Sequence, residues 1–187
     1  MIVGIDEVGR GCWAGPVAAG AVVLKRRIPG LKDSKKLSKT QREALDVKIR
    51  RQALAIGIGW ASPEEVDEHG LTKAVGLAMR RALEQITIAY DEIIIDGNHN
   101  FLKDIPNTST LIKADDTIAA VSAASIVAKV ARDNWMAQEA ATQHPMYGFD
   151  HHVGYGTAVH AAMLKLHGAC SLHRKSFRPV QLVVQAE

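Results

Sequence analysis

Three short apolar segments of this chain each lead into an acidic residue, and this pattern restricts the folds that it can adopt. The segments are Met1-Ile2-Val3-Gly4-Ile5 before Asp6, Glu92-Ile93-Ile94-Ile95 before Asp96, and Thr110-Leu111-Ile112 before Lys113-Ala114-Asp115. Their length and β-branched content are typical of strands. A carboxylate at the end of an apolar strand is costly unless it is paired or liganded. The three strands are therefore predicted to end close together, as strands do at the sites of open α/β sheets.

The remaining pattern predicts two more strands and several helices. The strands are Val17 to Leu24, which follows a glycine-bearing loop from Gly9 to Gly15, and Gly57 to Ala61. Because strands lead and helices follow, the chain is predicted to form an α/β fold with a mixed sheet covered by helices. We find no linker or internal repeat, so a single domain over residues 1–187 is expected.

Capping residues indicate where the helices begin. Ser38 with Gln41 resembles a capping box, opening a helix that carries Leu45, Ile49 and Leu54. Ser62-Pro63-Glu64-Glu65 is a clearer box, with proline at the first helical position. Two further helices are predicted, an alanine-rich one from Thr117 to about Ala140 and a final one from about Thr157 to His167.

Composition excludes several classes of protein. The longest weakly polar run, 119–130, is too short to cross a membrane, and no membrane partner is expected. Asp6 and Glu7 stand where a signal peptide needs apolar residues. Cys12 and Cys170 match neither a zinc pattern nor a disulfide framework, so a cytoplasmic location is expected. A monomer is expected.

Positive charge gives a weak indication of a polyanionic partner. The net charge is +3, and it includes the short basic clusters Lys25-Arg26-Arg27, Lys35-Lys36 with Lys39, and His173-Arg174-Lys175 with Arg178. Solvated surface charge would explain any one of these clusters. Basic clusters beside a carboxylate site favour a phosphate-bearing partner, because the cations can hold the backbone that the metals recruit.

The acids themselves favour a site for hard divalent cations. Mg²⁺ prefers oxygen ligands and is often bound by a few carboxylates, water and substrate phosphate. Two such ions about 4 Å apart can stabilise the attacking and leaving oxygens of a phosphodiester. The candidates are Asp6, Glu7, Asp96 and Asp115, whereas Asp116 is interpreted as the N-cap of the helix that follows it.

Asp6 and Glu7 are adjacent, which raises a geometric difficulty. Neighbouring residues of a strand point to opposite faces of the sheet. The two acids can therefore share a site only if the strand twists or bulges there, or if Glu7 reaches around from the strand end.

Several motifs of the chain, taken together, resemble the ribonuclease HII family. They are Asp6-Glu7-Val8-Gly9-Arg10-Gly11, Ala14-Gly15-Pro16, Asp33-Ser34-Lys35-Lys36-Leu37, Ile95-Asp96-Gly97, Ser122-Ala123-Ala124-Ser125-Ile126-Val127-Ala128-Lys129, Gly154-Tyr155-Gly156-Thr157 and His173-Arg174-Lys175-Ser176-Phe177. They occur in the family's order and cover nearly the whole chain. The resemblance implies a ribonuclease H-like fold, with a mixed five-stranded sheet flanked by helices.

The same resemblance implies an activity. An enzyme of this family hydrolyses the RNA strand of RNA/DNA hybrids and cuts 5′ of ribonucleotides embedded in duplex DNA, as ribonucleotide excision repair requires. The products are a 3′-hydroxyl and a 5′-phosphate, and the cofactor is Mg²⁺ or Mn²⁺, with two ions during catalysis. Asp6, Glu7 and Asp96 match the family's first three metal-binding acids. Asp115 matches the fourth, although Ala114 replaces the family's glycine and Asp116 follows as a second acid.

The resemblance also assigns substrate-binding residues. Gly9, Arg10 and Gly11 correspond to the family's ribonucleotide-sensing loop, in which a bare backbone can approach a sugar closely. Tyr155 matches the tyrosine that packs against the sugar at the RNA-to-DNA junction. The residues expected to hold phosphates are Lys35, Lys36 and Arg174. The pair Cys12-Trp13 departs from the Pro-Leu common in the family.

The motifs leave three other assignments to be compared with ribonuclease HII. Arg10 favours ribonuclease HII over ribonuclease HIII, which usually has Gly-Thr-Gly at this position. Another two-metal nuclease of the same fold, such as a resolvase or an exonuclease, would have no use for the glycine-rich loop or Tyr155. A non-catalytic hybrid-binding protein would be expected to lose one of the acids. Ser125, in a run of alanines, is expected to be a packing residue.

Overall fold

A computed structural model describes residues 1–185 and confirms the mixed five-stranded sheet. Its strands are β1 Ile2–Val8, β2 Val17–Leu24, β3 Ala53–Ala61, β4 Glu92–Asp96 and β5 Thr108–Leu111. The order across the sheet is β3-β2-β1-β4-β5. The pairs β1–β2 and β2–β3 are antiparallel, whereas β1–β4 and β4–β5 are parallel. The carboxyl ends of β1, β4 and β5 thus meet at one edge of the sheet.

Helices and short turns connect the strands. The helices are α1 Lys39–Gln52, α2 Pro63–His69, α3 Leu71–Leu83, α4 Ala114–Thr117, α5 Ala119–Trp135, α6 Ala141–Gln143, α7 Phe149–His152, α8 Ala158–His167 and α9 Arg178–Val184. A π-helical turn, Met136–Ala140, joins α5 to α6, and 3-10 turns form at Ser34–Lys36 and Pro145–Tyr147. Both predicted capping boxes are present, at Ser38 and Ser62. No helix within residues 1–185 combines the length and the apolarity needed to span a bilayer.

Glycines let one helix lie close against each face of the sheet. A Cβ at Gly4 would lie 2.2 Å from the backbone carbon of Ala120 in α5. On the other face, a Cβ at Gly59 would lie 2.0 Å from the carbonyl oxygen of Ala78 in α3. Backbone cannot give way as a flexible side chain can, so these positions exclude larger residues. The close approach fixes α5 over β1 and β2, which determines where the side chains of α5 stand relative to the acids.

Three details of the predicted helices are wrong. The helix opened by Ser38 ends at Gln52, and Leu54 lies instead in β3 with 44% of its surface exposed. The alanine-rich helix is interrupted at Ile118, whose extended backbone separates α4 from α5. The helix predicted from about Thr157 to His167 has the expected ends, with Thr157 as its N-cap and Gly168 as its C-cap, but it is not the final helix. It is followed by α9, which has Pro179 in its first turn.

Candidate active site

Asp6, Asp96 and Asp115 converge where the strands end. Parallel pairing of Ile5 with Ile95 places Asp6 and Asp96 at adjacent positions of β1 and β4. Asp115 comes from the first turn of α4, which follows β5. One carboxylate oxygen from each lies within 4.8 Å of those of the other two. The sheet therefore brings together three acids that are far apart in the sequence, and we call them the carboxylate cluster.

Asp6 faces α5. It pairs with Gly20 of β2, and a Cβ at Gly20 would lie 2.5 Å from the carbonyl oxygen of Ala124. The side chain of Ser125 hydrogen-bonds to Asp6, and its Oγ lies 2.9 Å from the Oγ of Ser34. Ser125 is thus more than the packing residue expected from the sequence, because it helps to orient a site carboxylate.

Glu7 lies on the opposite face of β1. The strand continues without a bulge through Val8, and Glu7 pairs with Ala19, whose side chain belongs to the core beneath α3. One carboxylate oxygen of Glu7 accepts a hydrogen bond of 3.0 Å from Arg10. The other, Oε2, is buried and has no hydrogen-bond partner among the described residues. Glu7 therefore borders the carboxylate cluster from the other face without joining it.

The electrostatics of the acids show an excess of buried negative charge. Burial is the main cause that raises the pKa of Asp6 well above its ordinary value, and the charge of Glu7 adds to it. Burial, followed by the charge of Asp96, raises the pKa of Asp115 to about 6. Burial also raises the pKa of Glu7, although Arg10 opposes the shift. Repulsion among like charges and an unpartnered carboxylate oxygen are what a bound cation would relieve, so the residues fit a divalent metal.

Asp116 is not a helix N-cap. Lys113, in the left-handed conformation with φ 60°, precedes α4, and no side chain caps that helix. The carboxylate of Asp116 accepts hydrogen bonds of 2.6 and 2.7 Å from Lys36, which lower its pKa. The amide of Ala114 donates a 2.8 Å bond to Asp96, and this bond ties α4 to the end of β4.

Lys35 and Lys36 are exposed at the turn beside α4. The charge of Lys35 acts on Asp115 and lowers its pKa slightly against the larger effect of burial. Lys36 is held by Asp116. Both lysines stand beside the carboxylate cluster, as a phosphate-binding role requires.

Arg174 is fully buried, so the prediction that it binds a phosphate does not fit its position. Its Nε and one terminal nitrogen donate to the carbonyl of Gly15, at 3.0 and 2.8 Å. The other terminal nitrogen donates to the carbonyl of Arg10 at 3.0 Å. Desolvation lowers its pKa to about 10. Arg174 instead braces the glycine-rich loop, residues 9–16, from inside the protein.

Arg132 of α5 braces the same loop, and sequence analysis missed it. Its guanidinium donates to the carbonyls of Pro16 at 2.8 Å, Val153 at 2.9 Å and Ala14 at 3.2 Å. A Cβ at Gly9 would lie 2.3 Å from the Nε of Arg132. The glycine is therefore required by the arginine behind the loop as well as by its positive φ. An arginine in an alanine-rich helix is the signal that could have indicated this role.

Tyr155 stands beside this loop, with 38% of its surface exposed. The amide of Trp13 donates to the carbonyl of Gly154 at 2.9 Å, which joins the two loops. The ammonium of Lys129 lies 5.1 Å from the centre of the Tyr155 ring and is held by Asp133 at 3.0 Å. Lys129 thus connects Tyr155 to the helix that carries Ser125.

A chain of buried histidines supports Tyr155 from below. The amide of Cys170 donates to His173 Nδ1 at 3.0 Å, and His173 Nε2 lies 3.0 Å from His160 Nε2. His160 Nδ1 lies 2.9 Å from the carbonyl of Tyr155. Neutral rings satisfy every bond if His173 carries its proton on Nε2 and His160 on Nδ1. Burial lowers the pKa of each to about 4, which keeps both rings neutral near pH 7.

Comparisons with known proteins agree with this geometry. The model of the family described as Ribonuclease HII matches residues 3–180. A ribonuclease HII from Acidovorax sp. (strain JS42) is 47% identical over 188 residues, covering 100% of this chain and 89% of the relative. One from Dechloromonas aromatica (strain RCB) is 47% identical over 182 residues, covering 96% and 92%.

Solved structures share the fold. The ribonuclease H2 of Pyrococcus horikoshii OT3 superposes with a TM-score of 0.82 at 25% identity, covering 99% of this chain and 97% of that one. The ribonuclease HII of Archaeoglobus fulgidus, solved in complex with PCNA, gives a TM-score of 0.74 at 26% identity, with 95% of both chains covered. Bst-RNase HIII, solved with Mn²⁺, gives 0.71 at 20% identity, covering 99% of this chain and 69% of that one, a likeness of fold alone.

The raised pKa of Asp115 predicts how the metal-free protein responds to pH. Because the folded pKa, about 6, lies above the ordinary value of 3.8, the folded state binds the proton more tightly. This contribution to stability is complete below about pH 4 and is lost as the pH rises through about 6. The substitution Asp115→Asn removes the titrating carboxyl group, so the variant does not lose this stability as the pH rises. In thermal melts with EDTA, the Tm of Asp115→Asn relative to wild type should therefore increase from pH 4 to pH 7.5.

Asp116→Asn is the matched control. Lys36 lowers the pKa of Asp116, so this substitution should lower the relative Tm at pH 7.5. Adding Mg²⁺ or Mn²⁺ should raise the Tm of wild type more than that of Asp115→Asn. A relative Tm for Asp115→Asn that falls or stays constant with rising pH would contradict the electrostatic description of the site.

Proposed function

The chain belongs to the ribonuclease HII family, which makes it a metal-dependent endoribonuclease with ribonuclease H activity, and from this premise we propose its finer specificity and mechanism. It cuts the RNA strand of RNA/DNA hybrids, and it also cuts 5′ of single ribonucleotides embedded in duplex DNA. The products carry a 3′-hydroxyl and a 5′-phosphate. Membership of this family favours this activity over that of a resolvase or an exonuclease. It also favours an enzyme over a non-catalytic hybrid-binding protein.

One observation carries the proposed specificity: the glycine-rich loop is the direct continuation of the strand that bears Asp6 and Glu7. Arg10, in this loop, donates to Glu7, and its own carbonyl is held by buried Arg174. The loop is thus pre-organised at the cluster, where it can test a sugar for a 2′-hydroxyl. A loop that recognises the 2′-hydroxyl is needed when a single ribonucleotide must be found in DNA.

Tyr155 supplies the second contact in this proposal. It is half-exposed, its backbone is hydrogen-bonded to His160, and its ring is held by the cation of Lys129. A ring held in this way can pack against the sugar next to the ribonucleotide with little loss of side-chain entropy on binding. Tyr155 and the glycine-rich loop are joined by the hydrogen bond from Trp13 to Gly154.

Asp6, Asp96 and Asp115 of the carboxylate cluster would hold two divalent cations, with Mg²⁺ or Mn²⁺ as the candidates. Glu7 would contribute from the other face of β1 through Oε2, which has no hydrogen-bond partner within residues 1–185. When bound, such cations stabilise charge on the reacting phosphate and lower the pKa of a bound water. The residues of this chain hold the acids in place: Ser125 orients Asp6, and the amide of Ala114 orients Asp96. Mn²⁺ is the ion in the Bst-RNase HIII structure, and carboxylate oxygens suit both metals.

Lys35 and Lys36 are proposed to hold phosphates of the cleaved strand, because both are exposed beside the cluster. We also propose that the protein works as a monomer in the cytoplasm. The free thiols of Cys12 and Cys170 support a reducing location.

A cleavage assay on three duplexes tests the proposed specificity. We expect the RNA/DNA hybrid and DNA with one ribonucleotide to be cut, and all-DNA duplex to remain intact, when Mg²⁺ or Mn²⁺ is present. Asp6→Asn should lower both rates by orders of magnitude, since Asp6 is a buried acid of the cluster on the central strand of the sheet. Retention of more than about a tenth of the wild-type rate would exclude Asp6 as a ligand. Failure to cut the single-ribonucleotide duplex would exclude the finer specificity.

Asp115→Asn should damage catalysis far more than Asp116→Asn. Asp115 is a member of the carboxylate cluster, whereas Asp116 points to Lys36. We expect a loss of at least about 100-fold for the first variant and less than about 10-fold for the second, measured as kcat at saturating metal. Equal losses in two well-folded variants would mean that the fourth ligand is Asp116 or is shared.

Tyr155→Ala should separate the two activities. A lone ribonucleotide depends on Tyr155 and the loop together, whereas a continuous hybrid offers many registers. Loss of an aromatic contact to nucleic acid costs about 1–3 kcal/mol, or roughly 5- to 150-fold. The rate ratio between the two substrates should shift by this factor, and Tyr155→Phe, which keeps the ring, should leave it nearly unchanged. If Tyr155→Ala lowers both rates equally and lowers Tm, the residue only packs the loop.

A further inference from the structure

A groove with cationic walls lies on the α3 face of the sheet. Its volume is about 600 Å³, and it runs between the outer side of α3 and the loop that follows β4. The floor is apolar, formed by Gly76, Leu77 and the half-buried ring of Phe101. None of the motifs that resemble the family lies in this groove, which we call the basic groove.

The charged groups of the basic groove are mostly positive. Lys73, Arg80 and Lys103 line it together with His69 and His99, and the single acid, Asp104, is already paired with Arg80 at 2.7 Å. Among the residues that the structure describes, the side chains of Lys73 and Lys103 form neither an ion pair nor a hydrogen bond, and both residues are exposed. Their ammonium groups are therefore available to an anionic ligand without breaking an existing contact.

The basic groove continues from the candidate active site. The guanidinium of Arg10, in the glycine-rich loop, lies 5.7 Å above the ring of Phe101. His99 packs on the same Phe101 ring, with the two ring centres 4.5 Å apart. Phe101 is thus shared between the loop and the groove. A strand that reaches Arg10 can continue past Phe101 toward Lys73 and Lys103.

We propose that the basic groove binds the sugar-phosphate backbone of the substrate duplex outside the cleavage site. The outer face of α3 that lines the groove runs from Thr72 to Arg80 and spans about 12 Å at 1.5 Å per residue. This length corresponds to roughly three to four base pairs at 3.4 Å per step. Lysines supply the charge that phosphates need, and Thr72 and Asn100 offer polar contacts of the kind that position a backbone. The inference deepens the proposed function, on which it rests.

Duplexes of different arm length test the proposal. Each carries four consecutive ribonucleotides at a fixed position, and the duplex arm on either side is truncated separately to about two base pairs and closed by a hairpin. Kd is measured with Asp6→Asn protein, so that binding is independent of cleavage. KM of the active protein is measured alongside. Cleavage of the full-length duplex by active protein tests the enzymatic function separately from the groove.

The test variant is Lys73→Ala with Lys103→Ala. On the full-length duplex we expect Kd and KM to rise about 10-fold at ~0.1 M salt, and the slope of log Kd against log salt to fall by about 1–2. On the duplex that lacks the arm lying in the basic groove, the same variant should bind like its parent. Only one of the two truncations should have this effect, and that result identifies the arm.

Lys48→Ala with Arg51→Ala is the matched control, since it also removes two positive charges, here near the C-terminal end of α1. It should change Kd by less than about twofold on every duplex. Equal effects of the two double variants, or an effect of the groove variant that survives both truncations, would overturn the proposal. Unchanged Kd and salt slope in a folded groove variant would also overturn the proposal. A protein would then be the remaining candidate ligand of the groove.

Discussion

Mutual repulsion among buried carboxylates is the constraint on which the site depends. Asp6, Asp96 and Asp115 stand within 4.8 Å of one another at the edge where β1, β4 and β5 end. Water does not screen these charges well, so burial, aided by repulsion from neighbouring acids, raises the pKa values of Asp6 and Asp115. Within residues 1–185 none of the three acids forms an ion pair, so the surrounding fold must hold them together by other contacts. The arrangement costs stability in the metal-free protein and prepares a site that a divalent metal stabilises.

The rigidity that holds the acids comes from backbone packing. Glycines at positions 4 and 20 of neighbouring strands let α5 approach the sheet, and this approach delivers Ser125 to Asp6. A larger residue at either glycine would move α5 away from the sheet. The same helix carries Lys129 and Arg132 one and two turns further on, where they contact Tyr155 and the glycine-rich loop. One helix thus links the carboxylate cluster to both loops.

Two buried arginines give these loops a fixed shape without any acidic partner. The guanidinium groups of Arg132 and Arg174 donate six hydrogen bonds to five backbone carbonyls of the loops. A buried charge left without such bonds would be costly, so either arginine and the loop stabilise each other. The neutral histidines beneath Tyr155 act in the same way by satisfying backbone groups. Polar contacts inside the protein therefore fix the shape of the glycine-rich loop and of the loop that carries Tyr155.

The sequence by itself indicated the α/β class, the strands that end in acid, both capping boxes and four candidate acids, of which three form the cluster. These follow from local rules, since β-branched runs and capping residues act over a few positions. Strand alternation already indicated that Glu7 faces away from Asp6, and the tertiary structure decided that no bulge in β1 changes this. Only the tertiary structure decided that Asp116 pairs with Lys36 and that Arg174 is buried beneath the loop. Each of these two contacts has a partner 80 or more residues away along the chain, which no local pattern encodes.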